Sequence, residues 1–342
     1  MKYHVLTINA ALIGATATRR VFFDLSKLPA ETLALITARE NLKILSLDGT
    51  VIYPSKVKLF VAQTSGIIYA SLPVSTSQNK QYRLQYDATD GVDASAAVTN
   101  GGAFLHLTYD ETTGNPVDDA NSYATSDIND IVQNQTGLYG KSIKAEASTA
   151  RHNLADVTQY NGASKLIEVI RYKRTGTPSG ENFLWYKSVV GIETYTASDV
   201  FISNITNNVY QSFGKPSTLL GDGNWHQIVR VFDGSQAGNG KIRIWVDNSE
   251  QTLSFSGTLA TTLPDSTGAN LYIGGDIYGG KPSAGCIDEF FAANDFLIGD
   301  HATYYNNAIN HDSFWTVLAT NVLPQADRPA FKNRAFKNRA FR

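Results

Sequence analysis

Asn224-Trp225-His226-Gln227-Ile228-Val229-Arg230-Val231-Phe232-Asp233-Gly234, then Lys241-Ile242-Arg243-Ile244-Trp245-Val246-Asp247 and Leu271-Tyr272-Ile273-Gly274-Gly275, is the text that decides the fold. Asp233-Gly234 is a turn signal, and Gln227, Arg230, Lys241, Arg243 and Asp247 interrupt the apolar residues at roughly the period of a pleated strand. Successive side chains of a strand point to opposite faces, so these interruptions predict strands with one buried and one wet face. Consecutive strands of an antiparallel sandwich follow, and with them surface recognition or assembly rather than solution chemistry.

Gly285-Cys286-Ile287-Asp288-Glu289-Phe290 closes the series. A Trp-His strand, an Asp-Gly hairpin, a Lys-x-x-x-Trp-Val-Asp strand, a Tyr-Ile-Gly-Gly strand and a Gly-x-Ile-Asp-Glu strand, in this order, resemble the laminin-G-like branch of the concanavalin A-like lectin/glucanase superfamily. Phe104-Leu105-His106-Leu107 and Gly137-Leu138-Tyr139-Gly140-Lys141-Ser142-Ile143 look like the opening strands of that fold, so the resemblance covers about residues 103–300. It implies a jelly roll. Function stays open, since the superfamily holds lectins, adhesion modules, structural domains and glycosidases.

Upstream, residues 1–90 read as a smaller all-β unit, with strands at Val5–Ile8, Val21–Leu25, Leu42–Leu45, Val57–Ala62, Ile67–Leu72 and Tyr82–Tyr86. Pro29 and Glu31 mark the start of a helix expected over Pro29–Glu40, and Asp48-Gly49 a hairpin turn. Arg20-Val21-Phe22-Phe23-Asp24-Leu25, the Leu47-Asp48-Gly49-Thr50 turn and Tyr82-Arg83-Leu84-Gln85-Tyr86 resemble a small bacterial β-sandwich family of unassigned function that precedes laminin-G-like domains. The expected organisation is an N-terminal β-sandwich (1–90), a linker (91–102), a jelly roll (103–300) and a C-terminal arm (301–342), within which Tyr304–Leu318 reads as a short helix or extended chain. The fold class is all-β, two β-sandwich domains.

With 342 residues, each unit is large enough to bury a core without staples, and 18% charged residues suit short strands joined by polar turns. Cys286 is the only cysteine, so no intrachain disulfide forms, and a buried, inert thiol is expected. No stretch approaches the roughly 20 apolar residues of a membrane span, and Met1–Asn9 lacks the apolar core of a signal peptide. Synthesis in the cytoplasm is expected, with release in an assembled virus particle, or trimming of a leader, as the routes outward.

Ala330-Phe331-Lys332-Asn333-Arg334 repeats as Ala335-Phe336-Lys337-Asn338-Arg339, and Ala340-Phe341-Arg342 begins a third copy. Of the 29 basic residues six lie from Arg328 onward, so residues 1–327 carry 23 against 31 acidic ones, a net of −8. Three readings of this tag compete: a disordered end, a docking arm that inserts aromatics while Lys and Arg meet carboxylates, and nucleic-acid binding by stacking and phosphate contact. In the docking reading Phe331, Lys332, Arg334, Phe336, Lys337, Arg339, Phe341 and Arg342 are the contact residues.

Glycosidases need two carboxylates flanking the scissile bond. The glucanase branch sets them as Glu-x-Asp-x-x-Glu on one strand, a spacing absent here, and strand alternation directs the neighbours Asp288 and Glu289 to opposite faces. His226 reads as a strand residue, and no histidine spacing suits a metal. No enzyme is expected. Structural calcium is the one cofactor considered, through Asp118, Asp119 and Asp288, because this ion prefers hard oxygen ligands; solvated loop carboxylates are the competing reading. A glycan site needs an aromatic platform and convergent polar groups, for which Trp185, Tyr186, Asp276 and Tyr278 are the candidates, Tyr278 foremost.

The combination resembles lectin-like accessory virion proteins of bacteriophages: a non-enzymatic head- or tail-associated protein, homo-oligomeric, with other virion proteins and glycans as partners. A secreted or cell-surface carbohydrate-binding protein and a double jelly-roll capsid protein are the alternatives.

Overall fold

The computed structural model describes residues 2–86, 103–120, 123, 125–177, 180–188, 190–195, 200–206, 209–276, 281–318 and 321–322. The chain is all-β with short helices, built as two antiparallel sandwiches.

The first sandwich packs a sheet centred on Lys2–Ile8 and Lys80–Gln85, with Lys43–Ser46 and Ile52–Tyr53 beyond, against the three strands Ala17–Asp24, Ser65–Val74 and Ser55–Val61. Leu6, Ile8, Phe23, Ile44, Ile68, Leu72 and Leu84 fill the space between them. Each such side chain contributes roughly 1.5–3 kcal/mol of transfer free energy. Gly49 adopts φ +79° in the expected Asp48-Gly49 turn. The helix expected over Pro29–Glu40 is only Ala30–Leu33 plus a 3₁₀ turn at Arg39–Asn41. Gln63 explains the break: its backbone N–H and side-chain amide donate to the carbonyls of Ile36 (2.8 Å) and Ala34 (2.8 Å), drawing this segment onto the hairpin at Gln63.

The second sandwich has two eight-stranded sheets. One runs Val132–Thr136, Lys141–Ala145, Gly285–Ala293, Lys165–Arg174, His226–Asp233, Ile242–Val246 and Ser249–Glu250, with Ala103–Leu107 also on Gly285–Ala293. The other runs Ser254–Ser256, Val209–Phe213, Val200–Thr206, Val190–Tyr195, Glu181–Lys187, Leu271–Ile273, Arg151–Leu154 and Thr125–Asn129. The His226–Asp233 and Ile242–Val246 strands are neighbours, as their hairpin signal predicts.

The wet face predicted for His226–Asp233 is absent. Ile228 and Phe232 enter the inter-sheet core together with Arg230, which is 1% exposed, while Val229 and Val231 are buried on the opposite face with Phe291, Phe296 and Tyr304. The cover is the helix Asp300–Ala308 and its approach, segments about 70 residues downstream.

Residues 301–318 and 321–322, expected to be part of a C-terminal arm, return to the first sandwich, and the helix Asp300–Ala308 that covers the second sandwich packs on the first as well. Asn307 exchanges two hydrogen bonds with the backbone of Phe22 (2.8 and 2.9 Å), Arg19 pairs with Asp300 at 2.7 Å, and Trp315–Val317 and Asn321–Val322 add to Lys2–Ile8 as strands. The close approach depends on glycine, since a Cβ on Gly14 would lie 1.9 Å from the carbonyl oxygen of Gly299. The linker 91–102 and the repeat from Ala330 lie outside the described residues.

Candidate functional site

The strand Glu181–Lys187 carries a β-bulge: Phe183 pairs with Glu193, but Trp185 pairs with Ile192. The extra residue sends Leu184 and Trp185 both into the core, each 0% exposed. Phe183 and Tyr186, three apart, thereby come to share the outer face, their ring centroids 4.8 Å apart. Tyr272 is the cross-strand partner of Tyr186 on one side and Gly191 on the other. A Cβ on Gly191 would sit 2.5 Å from the Trp185 carbonyl oxygen and 3.3 Å from Cδ2 of Tyr186, so the glycine leaves room for that ring.

Charged groups rim these aromatics. Arg151 lies over Tyr272 (5.8 Å) and Lys281 over Phe183 (5.4 Å), with Lys281 also paired to Glu181. Burial opposes the charge on Lys281, but Glu181, Asp276 and Glu193 outweigh it and hold its pKa above the ordinary value. Glu181 is in contact with this ammonium, and Asp276 and Glu193 act on it electrostatically; Phe183 and Tyr272 are buried, so Tyr186 is the ring of this group that can stack on an apolar sugar face.

Beneath the face lies a buried polar clamp. Arg230 donates through Nε to Glu168 Oε2 (2.6 Å) and through Nη2 to Oε1 (2.8 Å), while its Nη1 reaches the carbonyl of Gly191 (2.7 Å). The indole of Trp185 donates to the same Glu168 at 2.8 Å. Arg230 thus ties the opposite sheet to Val190–Tyr195, the strand paired with that of Tyr186.

Of the sequence-predicted glycan residues, Tyr186 belongs to this face and Asp276 flanks it. Trp185 is no platform, because the bulge turns it inward. Tyr278 lies outside the described residues, as do the docking residues Phe331 to Arg342. Phe183, Tyr272 and Arg151, which lie beside Tyr186, were not among the candidates; strict alternation puts Phe183 and Tyr186 on opposite faces, and the only textual hint of the bulge is the unbroken apolar run Phe183-Leu184-Trp185-Tyr186.

The calcium candidates are engaged by protein donors. Asp118 accepts from the backbone N–H of His106 (2.8 Å) and Ala120 (2.9 Å), Asp119 pairs with Lys56 (2.9 Å) and Lys58, and Asp288 accepts from the N–H of Leu138 (2.8 Å) and Tyr139 (3.1 Å). Among the described residues, no group of three or more His, Cys, Asp or Glu side chains is placed to hold a metal ion. Asp288 and Glu289 do not alternate as expected, because a bulge makes Asp288 the extra residue opposite Arg171 and Tyr172. Glu289 pairs with Arg171 and His106 at the junction of the two sandwiches, where Arg20 donates to the other nitrogen of His106. A cavity of about 30 Å³, the size of one water, lies among Arg20, Tyr69, His106, Arg171 and Glu289. His226 lies between Asp247 (2.5 Å) and Asp222 (2.9 Å).

Two buried groups near these features titrate with opposite consequences. Burial pulls His152 down to about 3, and the unfolded chain protonates near 6.5, so stability is lost as pH falls from about 6.5 toward 3 at about 1.4 kcal/mol per unit. Burial pushes Asp110 up to about 6 from 3.8, so the folded state binds the proton first and gains stability as pH falls through that window. Between pH 7 and pH 5, His152→Asn is expected to retain about 2 kcal/mol more of its stability than the parent, and Asp110→Asn about 1.4 kcal/mol less. Urea unfolding at the two pH values measures this; parallel behaviour of all three proteins would contradict it.

No family model and no curated protein sequence matches the chain. Solved structures similar to it include the binding domain of botulinum neurotoxin DC in complex with SialylT (12% identity, TM-score 0.44, covering 60% of this chain and 51% of that one) and a Trypanosoma rangeli sialidase in complex with 2,3-difluorosialic acid (12% identity, TM-score 0.48, covering 76% and 43%). A third is described under the cell entry of botulinum neurotoxin type C and its interaction with two ganglioside molecules (13% identity, TM-score 0.40, covering 60% and 51%). The chain spans about half the length of these structures, and similarity this remote carries no functional argument.

Proposed function

We propose that the chain is a non-catalytic glycan-binding protein whose second sandwich meets sugar through the partly exposed ring of Tyr186, held by the buried rings of Phe183 and Tyr272 beside it. The observation that carries this reading is the bulge that turns Phe183 and Tyr186 to one side, beside Lys281, Glu193 and Asp276. The absence of catalysis is supported by the engagement of Asp288 and Glu289 with backbone donors, Arg171 and His106. Tyr186→Ala is expected to weaken binding to any glycan captured on an array by at least about tenfold, the scale of one lost aromatic contact in a pocket. Unchanged affinity in the variant, or no glycan bound by the intact protein, would defeat the reading.

A second reading concerns where the face is displayed. In this second reading the Ala-Phe-Lys-Asn-Arg repeat is a docking arm on a larger assembly such as the virion of a bacteriophage, with a carbohydrate-binding protein of a cell surface as the alternative. Deleting Pro329 to Arg342 is expected to abolish incorporation into the particle; unchanged incorporation would remove the docking role.

A further inference from the structure

We infer that Lys187 and Asn161 are poised to join through an autocatalytic isopeptide bond with Asp156 as the proton carrier, an inference independent of the glycan-binding reading above. Lys187 closes the strand Glu181–Lys187, and its side chain is 0% exposed. It donates to Oδ1 of Asp156 at 2.8 Å and to Oδ1 of Asn161 at 3.3 Å. The Asn161 amide directs its Nδ2 toward both oxygens of Asp156, each 3.5 Å away. An ammonium only donates and a carboxylate only accepts, so these partners fix which end of the carboxamide is which. The hydroxyl of Ser266 donates to the same Oδ1 of Asn161 at 2.7 Å. An amine, a carboxamide, a carboxylate beside both and a donor on the carbonyl oxygen are the parts that amide transfer needs.

In this step Lys187 passes one proton to Asp156, and the neutral amine attacks Cγ of Asn161, one bond beyond Oδ1. The Nζ–Cγ bond forms while Oδ1 takes the negative charge beside the Ser266 hydroxyl. The Cγ–Nδ2 bond then breaks as Asp156 relays protons from Nζ to the departing nitrogen. One ammonium and one carboxamide become one secondary amide and one ammonium ion, with nothing oxidised or reduced. Burial outweighs the pull of Asp156 and holds Lys187 below its ordinary pKa, which favours the amine. Burial would raise Asp156, but hydrogen bonds from Lys187 and from the N–H of Gly268 (2.7 Å) keep it below the usual carboxylate range. The resting pair is therefore ionic, and the reaction is a slow single turnover. Asp156 is 21% exposed, which gives the released nitrogen a way out. The bond would tie the residue after the 3₁₀ turn Thr158–Tyr160 to the strand of Tyr186.

The test is denaturing mass spectrometry of the intact chain after prolonged incubation, followed by protease mapping. A mass lower than the sequence gives by one ammonia is expected, together with a branched peptide joining Lys187 to Asn161. Asp156→Ala and Asn161→Ala should each keep the full mass and yield only linear peptides; should a variant not fold, the branched peptide of the parent decides alone. A parent chain that stays at full mass would overturn the inference. So would ammonia lost with linear peptides only, the mark of a succinimide at Asn161-Gly162, or water lost with a branch between Lys187 and Asp156. Linkage that persists in Asp156→Ala would remove Asp156 as the proton carrier.

Discussion

Replacing Arg230 with methionine is expected to destabilise the chain by about 3–5 kcal/mol, the range for removing one partner of a buried ion pair. Arg230 and Glu168 are each 1% exposed, and Glu168 would be left in the core without its cationic partner. The carbonyl of Gly191 and the hydroxyl of Ser203 would also lose Arg230 as a donor. Urea unfolding measures the loss. The double variant Arg230→Met/Glu168→Met should lose less than the sum of the single losses, because it strands no charge. Strict additivity would mean that the two groups do not act as a pair. Because Gly191 lies beneath Tyr186, the single variant should also weaken glycan binding.

Lys187→Met is the second large effect, about 1–3 kcal/mol, the scale for leaving partly buried acceptors without their donor. The ammonium is 0% exposed and donates to Asp156 Oδ1 (2.8 Å), Asn161 Oδ1 (3.3 Å) and the carbonyls of Ser266 (3.0 Å) and Ala269 (2.8 Å). One side chain thus ties the turn at 156–161 to the loop at 265–269. Methionine fills much of the volume but donates nothing, so the buried carbonyl of Ser266 and three half-buried acceptors are left without this partner. Limited proteolysis should show faster cleavage within 265–269, and a variant as resistant and as stable as the parent would refute the tie.

Strand order in the second sandwich was legible because its carriers are local: Asp233-Gly234 sets a hairpin, and Ile242, Ile244 and Val246 alternate inward past Arg243. What was not legible depends on distant partners or on register. Val229 and Val231 read as one face of an ordinary half-wet strand, since nothing near them announces the helix Asp300–Ala308. Arg230 read as a solvent residue, and only Glu168, 62 positions away, makes its burial affordable. Trp315–Val317 completes a sheet begun by Lys2–Ile8, a pairing across almost the whole chain. At the candidate face the error was one of period: a single bulge exchanges the directions of Trp185 and its neighbours, so Trp185 lies in the core and Phe183 joins Tyr186 on the outer face.

The most direct test of the glycan-binding face is hydrogen–deuterium exchange of the intact chain with and without a saturating neutral oligosaccharide identified on the array. New protection is predicted in Glu181–Lys187, Val190–Tyr195 and residues 271–276. Protection confined to any other part of the chain, such as the junction around His106 and Glu289, would contradict the account.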